Sequence, residues 1–436
     1  MSHDKSEDIK GGHYDAIVIG GGQAGLAMSY CLKQRGVHHL VLERNRLAYE
    51  WRERRWDTFC LVTPNWQCQL PGFPYPGADP DGFMKQGEIV EYLEKYAALF
   101  EPPLVEGATV TSLRRVRGVF HVTANVGSFT ADAVIVATGG YHTPKLPPLA
   151  ERLPDHVVKL HSSAYKNPEA LAAGSVMVVG TGQSGCQIAE DLHLAGRKVY
   201  VCTGSAPRTA RRYRGKDVVR WLAQMGYYDM PIHEHPLKER VRAKANHYVT
   251  GRDGGRDIDL RKFAAEGMEL YGRLLGVKGD TLQFAPDLAA NLDGADAVSE
   301  SIKDSVDRFI ESKSITAPTE PRYVPVWKPA EERVSLDVSG TNITTVIFST
   351  GYRSDYRWVE VPVFDGTGYP MHDRGVTGVD GLYFVGLPWL YTWGSGRFSG
   401  VAADAEHLAE RIVQRRGEGR SVPRIATSAN ELALGS

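Results

Sequence analysis

Five cysteines are few for 436 residues, and Cys31, Cys60, Cys68, Cys186 and Cys202 form neither a C-x-x-C pair nor a zinc-ligand spacing. Dithiol redox chemistry and a structural zinc site therefore lack the residues they need, and a metal is not expected. No apolar run approaches the roughly 18 residues of a membrane span, and the opening MSHDKSEDIK has no signal-peptide core. A soluble, cytoplasmic protein without membrane attachment is expected. Charge of one sign is missing too: 51 basic against 52 acidic residues leave a net of −1, which gives nucleic acid no electrostatic footing. The length suffices for two or three domains with sizeable cores.

Glycine, by contrast, is abundant and placed. DAIVIGGGQAGLAMSYCLKQRGVHHLVLER opens the chain, and VMVVGTGQSGCQIAEDLHLAGRKVYVCTG repeats its spacing about 160 residues on. In each, an apolar β run meets a G-x-G-x-x-G turn that opens an amphipathic helix: Gly20, Gly22 and Gly25 in the first, Gly180, Gly182 and Gly185 in the second. The first glycine permits the tight turn, the second lets backbone approach a pyrophosphate, and the third lets helix pack on strand, while the helix N-terminus attracts phosphate charge. Gln23 and Ala24, and Gln183 and Ser184, stand within the two turns. Two dinucleotide sites are expected.

The end of each second strand distinguishes the nucleotides. Glu43, 18 residues beyond Gly25 and followed by Arg44, can accept hydrogen bonds from a ribose diol, which suits FAD or NAD. The matching residue of the second copy is Thr203, followed by Arg208 and Arg211; a hydroxyl with guanidiniums nearby suits a 2′-phosphate and hence NADPH. The alternative for Arg208 to Arg214 is a solvated basic loop.

The rest of the chain organises around these turns. A helix is expected over residues 87–100, strands over 109–112, 119–124 and 133–140, a Pro-rich crossover over 141–154, and a strand from Ile343. The fold class is α/β, with two Rossmann-like dinucleotide-binding domains. Residues 1–150 and 351–436 are expected to form a discontinuous FAD domain. Residues 151–350 would form an inserted NADPH domain that carries a largely helical insertion over about 211–317.

These landmarks in this order resemble the flavin-containing monooxygenases that include the YUCCA enzymes, N-hydroxylating enzymes and Baeyer–Villiger relatives. The resemblance spans nearly the whole chain and includes WDTFCLVTPNWQCQLPGFPYPG from Trp56, ATGG at Ala137, Thr138, Gly139 and Gly140, STGY with Thr350 and Gly351, and GLYFVG ending at Gly386. The fingerprint F-x-G-x-x-x-H-x-x-x-Y/F appears as DHVVKLHSSAY, keeping His161 and Tyr165 but carrying Asp155 and Val157 for Phe and Gly. That departure points to a divergent bacterial subgroup of flavin-dependent oxidoreductases. His161 reads equally well as a satisfied histidine at a domain crossover.

The resemblance implies that NADPH reduces bound FAD, that reduced flavin captures O₂ as a C4a-(hydro)peroxide, and that one oxygen enters a small nitrogen-, sulfur- or carbonyl-containing substrate. It also implies Trp56 and Asp57 near the flavin ribityl and phosphates, an amide at Asn65 beside the flavin, and Gly396 in the loop before a final helix aimed at the flavin. A small slip would move the amide's role to Thr63 or Gln67, and an Asn after Pro is also a common turn former. An NAD(P)H-dependent flavin reductase or dehydrogenase with another acceptor is the alternative activity. A homodimer is possible.

Overall fold

The computed structural model describes residues 11–420. Its larger sheet orders the strands His372–Asp373, Val376–Thr377, Leu382–Phe384, Gly127–Val136, His13–Ile19, His39–Leu42 and Leu104–Val105, with Val110–Val116 and Val119–Ala124 branching from Gly127–Val136. The central pairings are parallel, with Ile19 opposite both Leu42 and Val136. Along the first strand Ala16 and Val18 enter one core and Ile17 and Ile19 another. Alternation on a sheet buried on both faces produces this split, and explains why the strand reads as a continuous apolar run. Helices Gln23–Gln34, Gln86–Phe100 and Val401–Arg420 cover the first face: Leu26 and Met28 pack with Leu93, Tyr96, Leu408 and Ile412, all buried. Each such side chain contributes about 1.5–3 kcal/mol on leaving water.

A second, five-stranded parallel sheet orders Val158–His161, Ile343–Phe348, Ser175–Val179, Val199–Cys202 and Glu269–Tyr271. Val176 and Val178 face helix Gln183–Leu194 and the core around Leu288 and Leu292, while Met177 and Val179 face Leu282 and Phe284. The chain passes between the sheets twice, at Thr143–Pro144 and Tyr352–Arg353, and the two passages pair as an antiparallel ribbon. Among the described residues no helix is long and apolar enough to cross a membrane.

The stretch 211–317 corrects the expectation of a largely helical insertion. Glu269–Tyr271 is a strand of the second sheet, and Leu274–Lys278 and Thr281–Phe284 form an antiparallel meander with Ser335–Asp337. The long helix Leu288–Ser312 follows, with Leu292, Ala295, Ser299, Val306 and Ile310 buried at helical spacing. Only the part between the strands ending at Cys202 and starting at Glu269 is an excursion, held by short helices and turns.

Candidate functional site

Both glycine turns sit at the C-terminal edge of their sheet, where open parallel sheets bind ligands. In the first, Gly20 has φ +109° and a Cβ there would lie 2.7 Å from the Ala137 carbonyl oxygen, while one on Gly25 would lie 1.8 Å from that of Gly20. A Cβ on Gly22 would meet nothing within 4 Å. The second repeats this: Gly180 has φ +102°, a Cβ on Gly185 would lie 1.9 Å from the Gly180 oxygen, and one on Gly182 would again meet nothing. The outer glycines are thus required by the protein itself, whereas the middle ones leave a cradle open to a ligand.

Around the first cradle, Glu43 accepts from the Gly21 N–H at 2.6 Å and the Asn45 N–H at 2.8 Å, leaving carboxylate lone pairs for a diol. Arg44 beside it is exposed. Gln23 donates to the Gly396 carbonyl at 3.2 Å and accepts from the Trp51 indole at 3.1 Å, which ties the turn to the loop before the last helix. Ala24 packs on Gly386, whose φ of +79° brings that loop within contact. Ala137 donates to Ile19, and Val385 to Val136, so the two loops after those strands flank the turn. Gly139 has φ +68° and its carbonyl accepts from the Tyr356 hydroxyl at 2.7 Å, while the Thr138 hydroxyl meets His142 at 3.2 Å.

Around the second cradle, Ser349 donates to Val179; Thr350 bonds the Lys145 carbonyl, and Gly351 has φ +78°. Ser184 is exposed at the helix start. Gln183 is spent elsewhere, bonding the Val249 N–H and carbonyl at 3.3 and 2.6 Å. His161 lies between the sheets' passages, its ring against Gly351 oxygen at 2.9 Å and the Ser163 hydroxyl at 2.9 Å. Burial pushes its pKa down, and both ring nitrogens are engaged within the protein.

Several expected contacts are corrected. Arg208 and Arg211 are not rim cations. Arg208 is 3% exposed and bonds Asp296 at 2.5 Å beneath Tyr323. Arg211, 2% exposed, pairs with Asp217 at 2.5 Å and donates to the Val62 carbonyl at 2.8 Å. The Thr203 hydroxyl is buried, donating to Tyr271 oxygen at 2.9 Å and accepting from Asn291 at 3.2 Å. The Thr203 hydroxyl is spent within the protein and both arginines are buried and ion-paired, while the Nη2 of Arg208 keeps no hydrogen-bond partner. Trp56 packs with Tyr165 in the core of the second sheet, and Asp57 accepts from Asn167 at 2.7 Å, so neither faces the first cradle. Asn65 is a loop brace: its amide donates to Asp79 oxygen at 3.0 Å and accepts from the Met84 N–H at 2.8 Å. Gln67 nearby is buried with its side-chain oxygen unpartnered. Thr63 is half-buried.

Two features escaped the sequence reading. Loop residues 387–397 are covered by the excursion: Ile232 donates to Tyr391 oxygen at 2.7 Å, Arg242 donates to Trp389 oxygen at 3.2 Å, and His235 packs against Trp389. Trp389 has φ +52°, a conformation costing a bulky residue on the order of 1–3 kcal/mol. The second feature is a pair of arginines, Arg55 and Arg397, that enter no ion pair among the described residues; each stacks on a tryptophan, Trp51 and Trp393, at 4.9 and 3.9 Å. Two surface hollows, of about 420 and 280 Å³, are lined by no residue of either glycine turn.

Residues 17–256 match the family model of the pyridine nucleotide-disulphide oxidoreductases. The chain is similar to an uncharacterized CzcO-like oxidoreductase of Geobacillus kaustophilus, 35% identical over 403 residues that cover 92% of this chain and 98% of the relative. It is also similar to the rice (Oryza sativa subsp. japonica) indole-3-pyruvate monooxygenase YUCCA1, 35% identical across 95% of each chain. Among solved structures, a flavin-containing monooxygenase from Stenotrophomonas maltophilia superposes with a TM-score of 0.61 at 19% identity, covering 93% of this chain and 99% of that one; that likeness is one of fold.

Proposed function

Because this chain belongs to the pyridine nucleotide-disulphide oxidoreductase family and is an FAD-dependent oxidoreductase, we propose that it is a monooxygenase, taking reducing equivalents from NADPH and placing one oxygen atom of O₂ on a small nitrogen-, sulfur- or carbonyl-containing substrate. FAD and NADPH are the cofactors of the flavin monooxygenases and pyridine nucleotide oxidoreductases it resembles. The observation that carries the reading is the pair of open cradles at Gly22 and Gly182. The first would hold FAD, with Gly20, Gly25, Gln23, Glu43 and the Ala137–Gly139 loop, and the second NADPH, with Gly180, Gly185, Ser184 and Gly351.

Bound flavin supplies the hydride acceptor and the means of activating O₂. The chain's own part is to orient and to exclude water. The Gln23 bridge fixes the first turn against the loop carrying Gly396, and the excursion over Trp389 and Tyr391 shields that loop. Water exclusion is what oxygen transfer needs.

The family's disulphide chemistry finds no support in this chain. All five cysteines are buried, burial pushes the Cys60 thiol up to about 11 and that of Cys68 to about 12, and thiolate is the reactive form. The test is oxygen uptake by NADPH-reduced holoenzyme across amines, sulfides, ketones and 2-oxo acids, with product and hydrogen peroxide both measured. Coupled product supports oxygenation; NADPH turnover that needs a quinone or protein acceptor supports a reductase instead.

A further inference from the structure

The same ladder of backbone hydrogen bonds runs along the ligand-binding edge of both sheets. In the first half the Gly20 N–H donates to Leu42 at 2.8 Å, and Glu43, just past that strand, donates to Val105 at 2.9 Å, the end of the neighbouring parallel strand. In the second half the Gly180 N–H donates to Cys202 at 3.0 Å, and Thr203 donates to Tyr271 at 2.8 Å, again the end of the neighbouring parallel strand. Glu43 therefore corresponds to Thr203, and Val105 to Tyr271. Two residues further on stand Gly107 in the first half and Arg273 in the second. The two edges thus differ in charge: a carboxylate beside a glycine in one, a spent hydroxyl beside a guanidinium in the other.

Arg273 is fixed by its backbone and open at its head. Its N–H donates to the Asp287 carboxylate at 2.9 Å and its carbonyl accepts from Ala285 at 2.9 Å. Gly272 permits that approach, since a Cβ there would lie 2.1 Å from the Ala285 oxygen. The Arg273 side chain is 68% exposed, and Asp287 stands 3.8 Å from it, beyond hydrogen-bond reach. Among the described residues no acceptor engages its five N–H groups. Arg208 also keeps one nitrogen unbonded, but its side chain is 4% exposed and closed in by Asp296 and Tyr323. A phosphate reaching it would be desolvated beside a carboxylate, which is costly.

We propose that Arg273 is the residue through which the second cradle recognises the 2′-phosphate of NADP(H), and that it sets the preference for NADPH over NADH. The end of the second strand is where a dinucleotide-binding unit meets the ribose 2′ position. A carboxylate there suits a diol and repels a phosphate, whereas a guanidinium fork bonds phosphate oxygens through charge-assisted hydrogen bonds. The proposal rests on the reading of the second cradle as a pyridine nucleotide site, and moves the 2′-phosphate contact from the loop after Thr203 to the loop after the next strand.

Calorimetric titration of full-length, FAD-loaded protein with NADP⁺ and with NAD⁺, at one fixed ionic strength, tests it. Wild type is expected to bind NADP⁺ about ten-fold more tightly than NAD⁺ or better, as a hydrogen bond to a charged group allows. Arg273→Gln should erase that ratio by weakening NADP⁺ alone, with NAD⁺ affinity and FAD content unchanged. Arg273→Lys should keep part of it, since it retains the charge and loses the fork. A wild-type ratio near one, a ratio that survives in Arg273→Gln, or an equal loss of both nucleotides in that variant would each overturn the proposal; a surviving ratio would return the role to Arg208. If Arg273→Gln does not fold, the ratio in Arg273→Lys decides, a fall supporting the proposal and no change overturning it. Wild type that binds neither nucleotide would remove the cradle reading and the proposal with it, whereas every other contrary outcome leaves that reading in place.

Discussion

Single residues separate what the protein needs for folding from what it offers a ligand. Gly22→Val adds a side chain where the protein has no atom within 4 Å, so the variant should fold, unfold within a few degrees of wild type and be purified colourless. Gly25→Ala puts a methyl 1.8 Å from a carbonyl oxygen and should lose at least about 1–3 kcal/mol in denaturant unfolding. A yellow Gly22→Val protein would contradict the cradle. Arg211→Ala leaves Asp217 inside the protein without its partner and should cost about 3–5 kcal/mol, with NADPH and NADH KM moving together. Arg208→Ala should cost less, because Asp296 keeps Arg261. A rise in NADPH KM alone, at unchanged stability, would restore the 2′-phosphate role read from the sequence. That reading failed for a physical reason: the partner that buries Arg208 stands 88 residues away, and no local pattern announces it.

At the level of elements, glycine spacing and apolar runs made both strand–turn–helix units legible, since backbone sterics demand glycine at Gly20 and Gly180. The helix expected over 87–100 is observed as Gln86–Phe100. The strand Glu269–Tyr271 was not legible because three residues are too short for a period to show, and the helical pattern of 288–312 dominates its surroundings. The hairpin of His372–Asp373 and Val376–Thr377 carries a pH dependence. Burial first, then Arg242, lowers the His372 pKa to about 4, and the ring nitrogen that accepts from the Gly375 N–H at 3.3 Å must stay unprotonated. The unfolded chain takes up this proton near pH 6.5 and the folded one only near 4, so stability contributed here is present above pH 6.5 and is lost as pH falls to 4. Because the ring is half-buried, the loss is at most about 3 kcal/mol. Urea titrations across that range should show the slope in wild type and its reduction in His372→Gln; parallel curves would refute the assignment.

Over the whole molecule, a mixed sheet with a parallel centre and a second, parallel sheet, joined by the ribbon of Thr143–Pro144 and Tyr352–Arg353, set one glycine turn in each half. Sequence resemblance pointed to the family, but not to the carboxylates that bury Arg208 and Arg211, which only the folded neighbourhood brings together. The central claim is that the two cradles serve different nucleotides. Nucleotide stoichiometry tests it most directly: wild type and Gly182→Val, saturated with FAD and NADP⁺, freed of excess and assayed for both. The account predicts one FAD and one NADP⁺ per wild-type chain, and FAD without NADP⁺ in Gly182→Val. A single nucleotide in wild type, or undiminished NADP⁺ in the variant, would contradict it.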